Sequence, residues 1–264
     1  MILVGAVAYD PKAVTIWEGI RDHFSAQGIA MDFVLFSNYE RQVESLLEGK
    51  IDVAWNTPLA HARIRRRTKN ESVSLGMRDS DRDFRAKIVA RRGAGIPTIQ
   101  SLPGHTLAVG SRDSTQARIL PLQFLRKEGV DLSKVKILPF DTDVGKHGDT
   151  GTSELEVLRA LHEGRADAGA VGDLIWVNEQ AAGHVDSSKV EVLWTTPPFD
   201  HCMFDAMPST PKEKRDLFQK GLFSMKWENP RDRRVLELEG LKMWMAPREE
   251  GYASLHEALD HDEK

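Results

Sequence analysis

Three stretches of this 264-residue sequence set side chains in patterns that could do chemistry. Ser114-Thr115-Gln116 stands where a helix is expected to open, and free backbone N–H groups at a helix start, with two hydroxyls, form a site for an anion or carboxylate. Ordinary Ser/Thr capping accounts for the same residues. Asn56-Thr57-Pro58-Leu59-Ala60-His61 follows a buried run, and an imidazole at 61 would bind an anion as a cation or act as general acid or base. A surface histidine on a helix that also carries Arg63, Arg65, Arg66 and Arg67 is the plainer reading. The third stretch is the polar loop from Phe140 to Gly151, from which Lys146 and His147 are candidates to touch a ligand. Asp143, His147 and Asp149 lack a recognised metal-ligand spacing, so no metal is expected.

Two further places deserve chemistry-minded reading. Tyr9 ends the first strand at the C-terminal edge of an expected parallel sheet, where ligands of such folds sit, and Asp10 beside it reads as a helix N-cap. Pro197-Pro198-Phe199-Asp200-His201-Cys202 combines hinge-like prolines with an acid and a base, Asp200 and His201. On an extended chain His201 and Cys202 would point to opposite sides, which disfavours a catalytic Cys-His pair and leaves Cys202 as a buried structural thiol. Gly93, Gly95 and Gly104 match neither a dinucleotide-binding nor a P-loop pattern, and no cofactor is expected.

The elements that must position these groups follow from periodicity. Ile2 to Ala8 reads as a strand, and Asp10-Pro11 opens a helix with Val14, Trp17, Ile20 and Phe24 on one side, stopped at Gly28. A strand at Met31–Phe36, a helix capped by Asn38 and ended at Gly49, and a strand at Ile51–Trp55 complete a β-α-β-α-β unit with parallel strands. The second half repeats this order: strand Thr106–Gly110, helix from about Thr115 to Glu128, strand Val135–Pro139, and a helix with a Ser153/Glu156 capping box closed by Gly164. Thr210-Pro211-Lys212-Glu213 and Asn229-Pro230 open further helices that finish the first lobe, and the tail from Asp260 to Lys264 is expected to fray. Leu47-Glu48-Gly49-Lys50-Ile51-Asp52-Val53-Ala54 is echoed by His162-Glu163-Gly164-Arg165-Ala166-Asp167-Ala168-Gly169, which predicts one equivalent α/β lobe in each half.

Composition narrows the function classes. Lys+Arg 36 against Asp+Glu 40 gives −4, which argues against general nucleic-acid binding, and the arginines after His61 have no interleaved aromatics for base stacking. A single cysteine rules out an internal disulfide framework. The N-terminal apolar run is short and lacks a basic leader, and no later segment is apolar for the ~18 residues a membrane span requires, so a cytoplasmic protein without membrane insertion is expected. A mature periplasmic chain whose signal had been replaced by Met1 is the alternative.

The ordered strings DVAWNTPLAHA, AKIVARRGAGIPTIQSLPGHTLAVGSRDSTQ, EGRADAGAV and VLWTTPPFDH resemble type II periplasmic binding proteins, nearest the phosphate/phosphite/phosphonate-binding components of ABC importers, from about Val4 to Trp244. The resemblance implies an α/β fold of two Rossmann-like lobes, 1–86 with 200–264 and 87–199, joined by two crossovers near Phe84–Ala90 and Leu193–Asp200. It also implies a small anionic or polar ligand, phosphonate, oxyanion or carboxylate, in a cleft between the lobes. The family's Ser-Thr-Ser loop matches Ser114-Thr115-Gln116, and its ligand-contacting tyrosine is replaced by His61, in the loop that offers Asn56 and Thr57. Tyr39 and Glu154 match further ligand positions, with Ser153 where the family has a histidine.

Two functions fit. One is a solute-binding protein, with an ABC permease as partner only for an exported chain. The other is a cytosolic enzyme on the same scaffold, a decarboxylase or dehydratase acting on a cyclic or aromatic carboxylate, with His61, His147 and His201 as acid/base residues.

Overall fold

Ile2–Val7 (β1) carries no charged residue and is buried along nearly its whole length, as a central strand covered on both faces must be. Met31–Phe36 (β2) and Val53–Asn56 (β3) flank it in parallel, with Ile2 opposite Met31 and Val4 opposite Val53. Three antiparallel strands extend the sheet beyond β3: Met203–Ala206 (β10), Val73–Arg78 (β4) and Trp244–Met245 (β11), giving the order β11-β4-β10-β3-β1-β2. Lys12–Ala26 (α1) lays Ile16, Trp17, Ile20 and Phe24 on one face of this sheet, where Phe204 and Phe218 complete the core. Tyr39–Leu47 (α2) and Pro58–Arg67 (α3) cover the other face through Val43, Leu46, Ala60 and Ile64.

The computed structural model describes residues 1–262 and divides the chain into two units, 1–83 with 200–252 and 84–199 with Ala253 onward. In the second unit Thr106–Val109 (β6) is flanked in parallel by Lys136–Pro139 (β7) and Ala168–Gly172 (β8). Ala86–Arg91 (β5) and Val190–Thr195 (β9) join antiparallel, in the order β7-β6-β8-β5-β9. Thr152–His162 (α5) and Asp173–Ala181 (α6) contribute Val157, Leu158, Leu161 and Trp176 to its core. The fold is the two-lobe type II binding-protein arrangement that the sequence strings implied.

The internal echo has a structural cause. Asp52 accepts the N–H of Leu3 through Oδ2 at 2.9 Å while its own N–H bonds the Leu3 carbonyl at 2.8 Å. Asp167 repeats the pair on Thr106, at 3.0 and 2.9 Å. Each aspartate thus pins the start of its lobe's central strand to the strand it precedes. The preceding helices end alike too, with Gly49 and Gly164 in the left-handed region, at φ of 68° and 73°, where a side chain would be strained.

Some local expectations change. Asn38 and Asn229 cap their helices as read. Ser153 does not: α5 begins at Thr152 behind Gly151, whose left-handed backbone turns the chain into the helix without a side-chain cap. Thr210 likewise donates to the carbonyl of Asp52 and leaves Lys212–Phe223 (α7) uncapped by a side chain. Pro230–Glu239 (α8) joins α7 in the first unit, but the last helix, Ala253–Asp262 (α9), does not. It packs against Leu120–Lys127 (α4), with Glu257 paired to Lys127, so residues 253 onward group with the second unit instead of the first. The tail is helical through Asp262, and the last two residues of the expected frayed segment lie outside the described residues.

Candidate functional site

In the first unit the polar residues at the strand ends are tied to one another. Asn56, last in β3, donates to Asp205 Oδ2 at 2.9 Å and accepts from Gln42 Nε2 at 2.8 Å. Thr57 caps α3 by accepting the Ala60 N–H at 3.3 Å. That helix delivers His61 onto the same aspartate, with Nδ1 at 2.9 and 3.0 Å from the two Asp205 oxygens, while Nε2 stands 3.3 Å from Glu249. Burial by itself would lower the His61 pKa, but the two carboxylates outweigh it and raise it to about 9, so the ring is cationic at neutral pH. The same contact, reinforced by Ser74 and Arg65, carries Glu249 down to about 2 against the opposing effect of burial. His61 is therefore a buried cation whose two nitrogens face carboxylates, not the surface imidazole or free acid/base group that the helix composition suggested.

Asp200 and His201 are similarly occupied. Arg248 spans both Asp200 oxygens and also reaches Asp83 at 3.0 Å, and the Asp83 N–H bonds Asp200 at 3.1 Å. The His201 ring nitrogen lies 3.1 Å from Cys202 Sγ and 3.6 Å from Asp81. The two side chains therefore meet, against the expectation from an extended chain, because regular strand begins only at Met203. Asp81, His201 and Cys202 bring ligand atoms within 4.8 Å, yet the Arg78 guanidinium already holds both Asp81 oxygens at 2.7 Å. Burial would raise the Asp81 pKa, and the Arg78 and His201 contacts overcome it and hold it at about 2. Tyr39 is buried among the apolar residues under α2 and α3, and Tyr9 is half-buried with Lys12 over its ring at 5.8 Å.

The second unit is built differently. After β6 the chain turns through Gly110–Ser114 into a helix that runs from Thr115 to Lys127, its first five residues π-helical. The wider turn shows in the Ile119 N–H, which reaches back to Ser114 O at 3.0 Å. Ser114 Oγ caps it on the Ala117 N–H at 3.2 Å. Gln116 Nε2 donates to Glu154 Oε1 at 3.1 Å, and Glu154 Oε2 accepts the Gly172 N–H, so these two candidates brace each other across three elements. Around them four buried polar atoms have no hydrogen-bond partner among the described residues: Ser111 Oγ, Thr115 Oγ1, Ser153 Oγ and Asp113 Oδ1. Buried hydroxyls are seldom left so, and Thr115 at this helix start, with Ser111 in the turn before it and Ser153 on α5, can donate to an anion.

The loop after β7 lies over this turn. Gly145 donates its N–H to Asp113 Oδ2, and Gly148 carries a left-handed φ of 86°. A Cβ on Gly148 would fall 2.5 Å from Ser114 Oγ and 2.8 Å from Gln116 Nε2, so only glycine fits. His147 is buried, with a ring nitrogen within 4.8 Å of the Asp113 carboxylate, and Lys146 is half-buried with its pKa lowered by desolvation in spite of Asp143 and Asp149. Among the described residues Asp143, His147 and Asp149 do not gather as a three-ligand cluster.

Sequence reasoning missed Asp113, Ser111, Asp205, Glu249 and Arg248. Two had a signal: Asp113 directly precedes the Ser114-Thr115 pair, and Asp205 is a charge inside an otherwise apolar strand, Met203–Ala206.

A family model described as "ABC transporter, phosphonate, periplasmic substrate-binding protein" matches residues 5–252. A protein described as probable ABC transporter phosphite binding protein PhnD1, from Prochlorococcus marinus (strain MIT 9301), is 24% identical over 177 residues. That match spans 65% of this chain and 57% of the relative's length. The crystal structure of PhnD1 from the same organism with methylphosphonate superposes with a TM-score of 0.76 at 19% identity, covering 100% of this chain and 98% of that one. XAC2383 from Xanthomonas citri, bound to ATP, gives 0.77 at 18% identity with 98% of both chains covered. At these identities the structural likenesses establish the fold.

Proposed function

Since the chain belongs to the family of periplasmic substrate-binding proteins of phosphonate ABC transporters, we propose that it captures a small phosphorus oxyanion, a phosphonate or a close relative, at the helix start in its second unit. The observation that carries this reading is the unpartnered, fully buried Thr115 Oγ1 at the first position of that helix, with Ser111 and Ser153 hydroxyls also open. Backbone N–H groups and the positive end of the helix supply the charge complement. Gln116, where the family's third loop residue is a serine, is braced by Glu154, so it shapes the wall of the site and Thr115 does the donating.

The name of the relative PhnD1, a phosphite binding protein, and its structure with methylphosphonate agree in ligand class with this reading. The partner that goes with it is an ABC permease, and the compartment is the periplasm, where the family's members work. No helix among the described residues is long and apolar enough to cross a membrane. The cytoplasmic placement expected from the first ten residues draws no support from the family, and neither does the lyase alternative. Two of its three histidines, His61 and His201, are held against carboxylates within the first unit.

Titration calorimetry with methylphosphonate tests the proposal. Thr115→Ala should weaken binding by about 1–3 kcal/mol, the cost of one hydrogen bond to a charged group, while the thermal midpoint stays close to wild type. Unchanged affinity in that variant would remove the helix start from the site.

A further inference from the structure

Asp113 is an odd neighbour for an anion. It occupies the turn directly before Ser114 and is only 5% exposed. Oδ2 accepts the Gly145 N–H, and Oδ1 meets no donor among the described residues. Glu154, the other carboxylate at this turn, has both oxygens satisfied, by Gln116 and by the Gly172 N–H. Asp113 thus offers an open, buried carboxylate oxygen beside the open hydroxyls of Ser111, Thr115 and Ser153. Ser153 Oγ stands 3.0 Å, and Ser114 Cβ 3.6 Å, from where a Cβ on Gly110 would be, which places that hydroxyl at the same turn.

Such a carboxylate repels an anion whose oxygens are all bare, because both sides then bring only lone pairs and like charge. An anion that keeps a hydrogen on one oxygen reverses the sign, since that O–H donates a short, charge-assisted bond to the carboxylate. A phosphonic acid that has lost one proton still carries one P–OH. A sulfonate of the same size and charge carries none.

Building on the anion-site reading above, we propose that Asp113 is a specificity-determining residue: its open oxygen accepts the P–OH of a singly protonated phosphonate or phosphite and rejects sulfonates and sulfate. The hydroxyls of Ser111, Thr115 and Ser153 donate to the bare oxygens, and Asp113 reads the one that is protonated. A site built to bond a ligand hydroxyl discriminates strongly against an analogue that lacks it, because its own buried group is left unpaired.

Calorimetry on the full chain with methylphosphonate and methanesulfonate, at a mildly acidic pH where the phosphonate keeps one proton, decides the matter. Wild type should bind methylphosphonate more than about tenfold tighter than methanesulfonate. Asp113→Asn, whose amide can donate as well as accept, should bring the two within about threefold, chiefly by gaining methanesulfonate. If that variant loses its folded circular-dichroism spectrum, Asp113→Ser, which retains an acceptor for Gly145, carries the same expectation. Equal affinities in wild type, or a preference that survives in the folded variant, would overturn the selectivity role and leave the anion site standing. Failure of wild type to bind either probe would overturn the anion-site reading itself and this inference with it.

Discussion

The two units start from the same sequence motif and end in opposite polar states. In both, an aspartate after a Gly-terminated helix exchanges two hydrogen bonds with the first residues of the central strand, Asp52 with Leu3 and Asp167 with Thr106. Past that shared frame they diverge. The first unit closes its strand-end polar groups into Gln42–Asn56–Asp205–His61–Glu249, leaving one acceptor, Gln42 Oε1, unpartnered in that chain. The second leaves three hydroxyls and a carboxylate oxygen open, on Ser111, Asp113 and Thr115 around one helix start and on Ser153 of α5. A satisfied buried network holds a fold together, whereas open donors at a pre-formed helix end await something from outside. On the proposed reading the first set serves structure and the second ligand recognition.

Asp205→Ala should produce the largest effect, since it strands a buried imidazolium. Chemical denaturation is expected to show a loss of about 3–5 kcal/mol. The wild-type contribution from His61 is complete below its unfolded value of about 6.5 and disappears as pH rises through about 9, because the proton is held more tightly in the folded state. A stability profile that falls across that window in wild type and not in the variant sharpens the contrast, and a flat wild-type profile breaks it.

Asp52→Ala and Asp167→Ala come next, each leaving one strand N–H without its partner and one cation, Lys214 or Arg91, without its carboxylate, at about 1–3 kcal/mol. The two losses should agree within about 1 kcal/mol if the echo is a true equivalence, and a one-sided effect would show that only one copy uses it. The smallest change belongs to Ser153→Ala. With no hydrogen bond to lose, and alanine the better helix former, its unfolding free energy should move by less than about 0.5 kcal/mol. A loss above about 1 kcal/mol would reveal a partner for that hydroxyl and end its claim to a ligand.

Local periodicity and capping chemistry make the parallel strands, the helices on both sheet faces and the repeated motif legible in the sequence, because hydrophobic spacing and Gly stops are local properties. The antiparallel additions β10 and β11 are not, since Met203–Ala206 and Trp244–Met245 are too short to carry a pattern and owe their place to pairing with distant β3 and β4. The site divided the same way. Ser114 and Thr115 could be read from their helix start, but the fate of His61 depended on Asp205 and Glu249, 144 and 188 residues further on. Ser153 fits a capping box as a sequence pattern, but Gly151 turns the chain into the helix by backbone geometry alone.

The placement of α9 has a practical corollary. Exposed Met1 belongs to the first unit, while α9, the last described helix, belongs to the second. A chain cut short before Ala253 would therefore keep every strand of both sheets yet lose the helix that packs on α4 and on the π-helical turn beginning at Thr115.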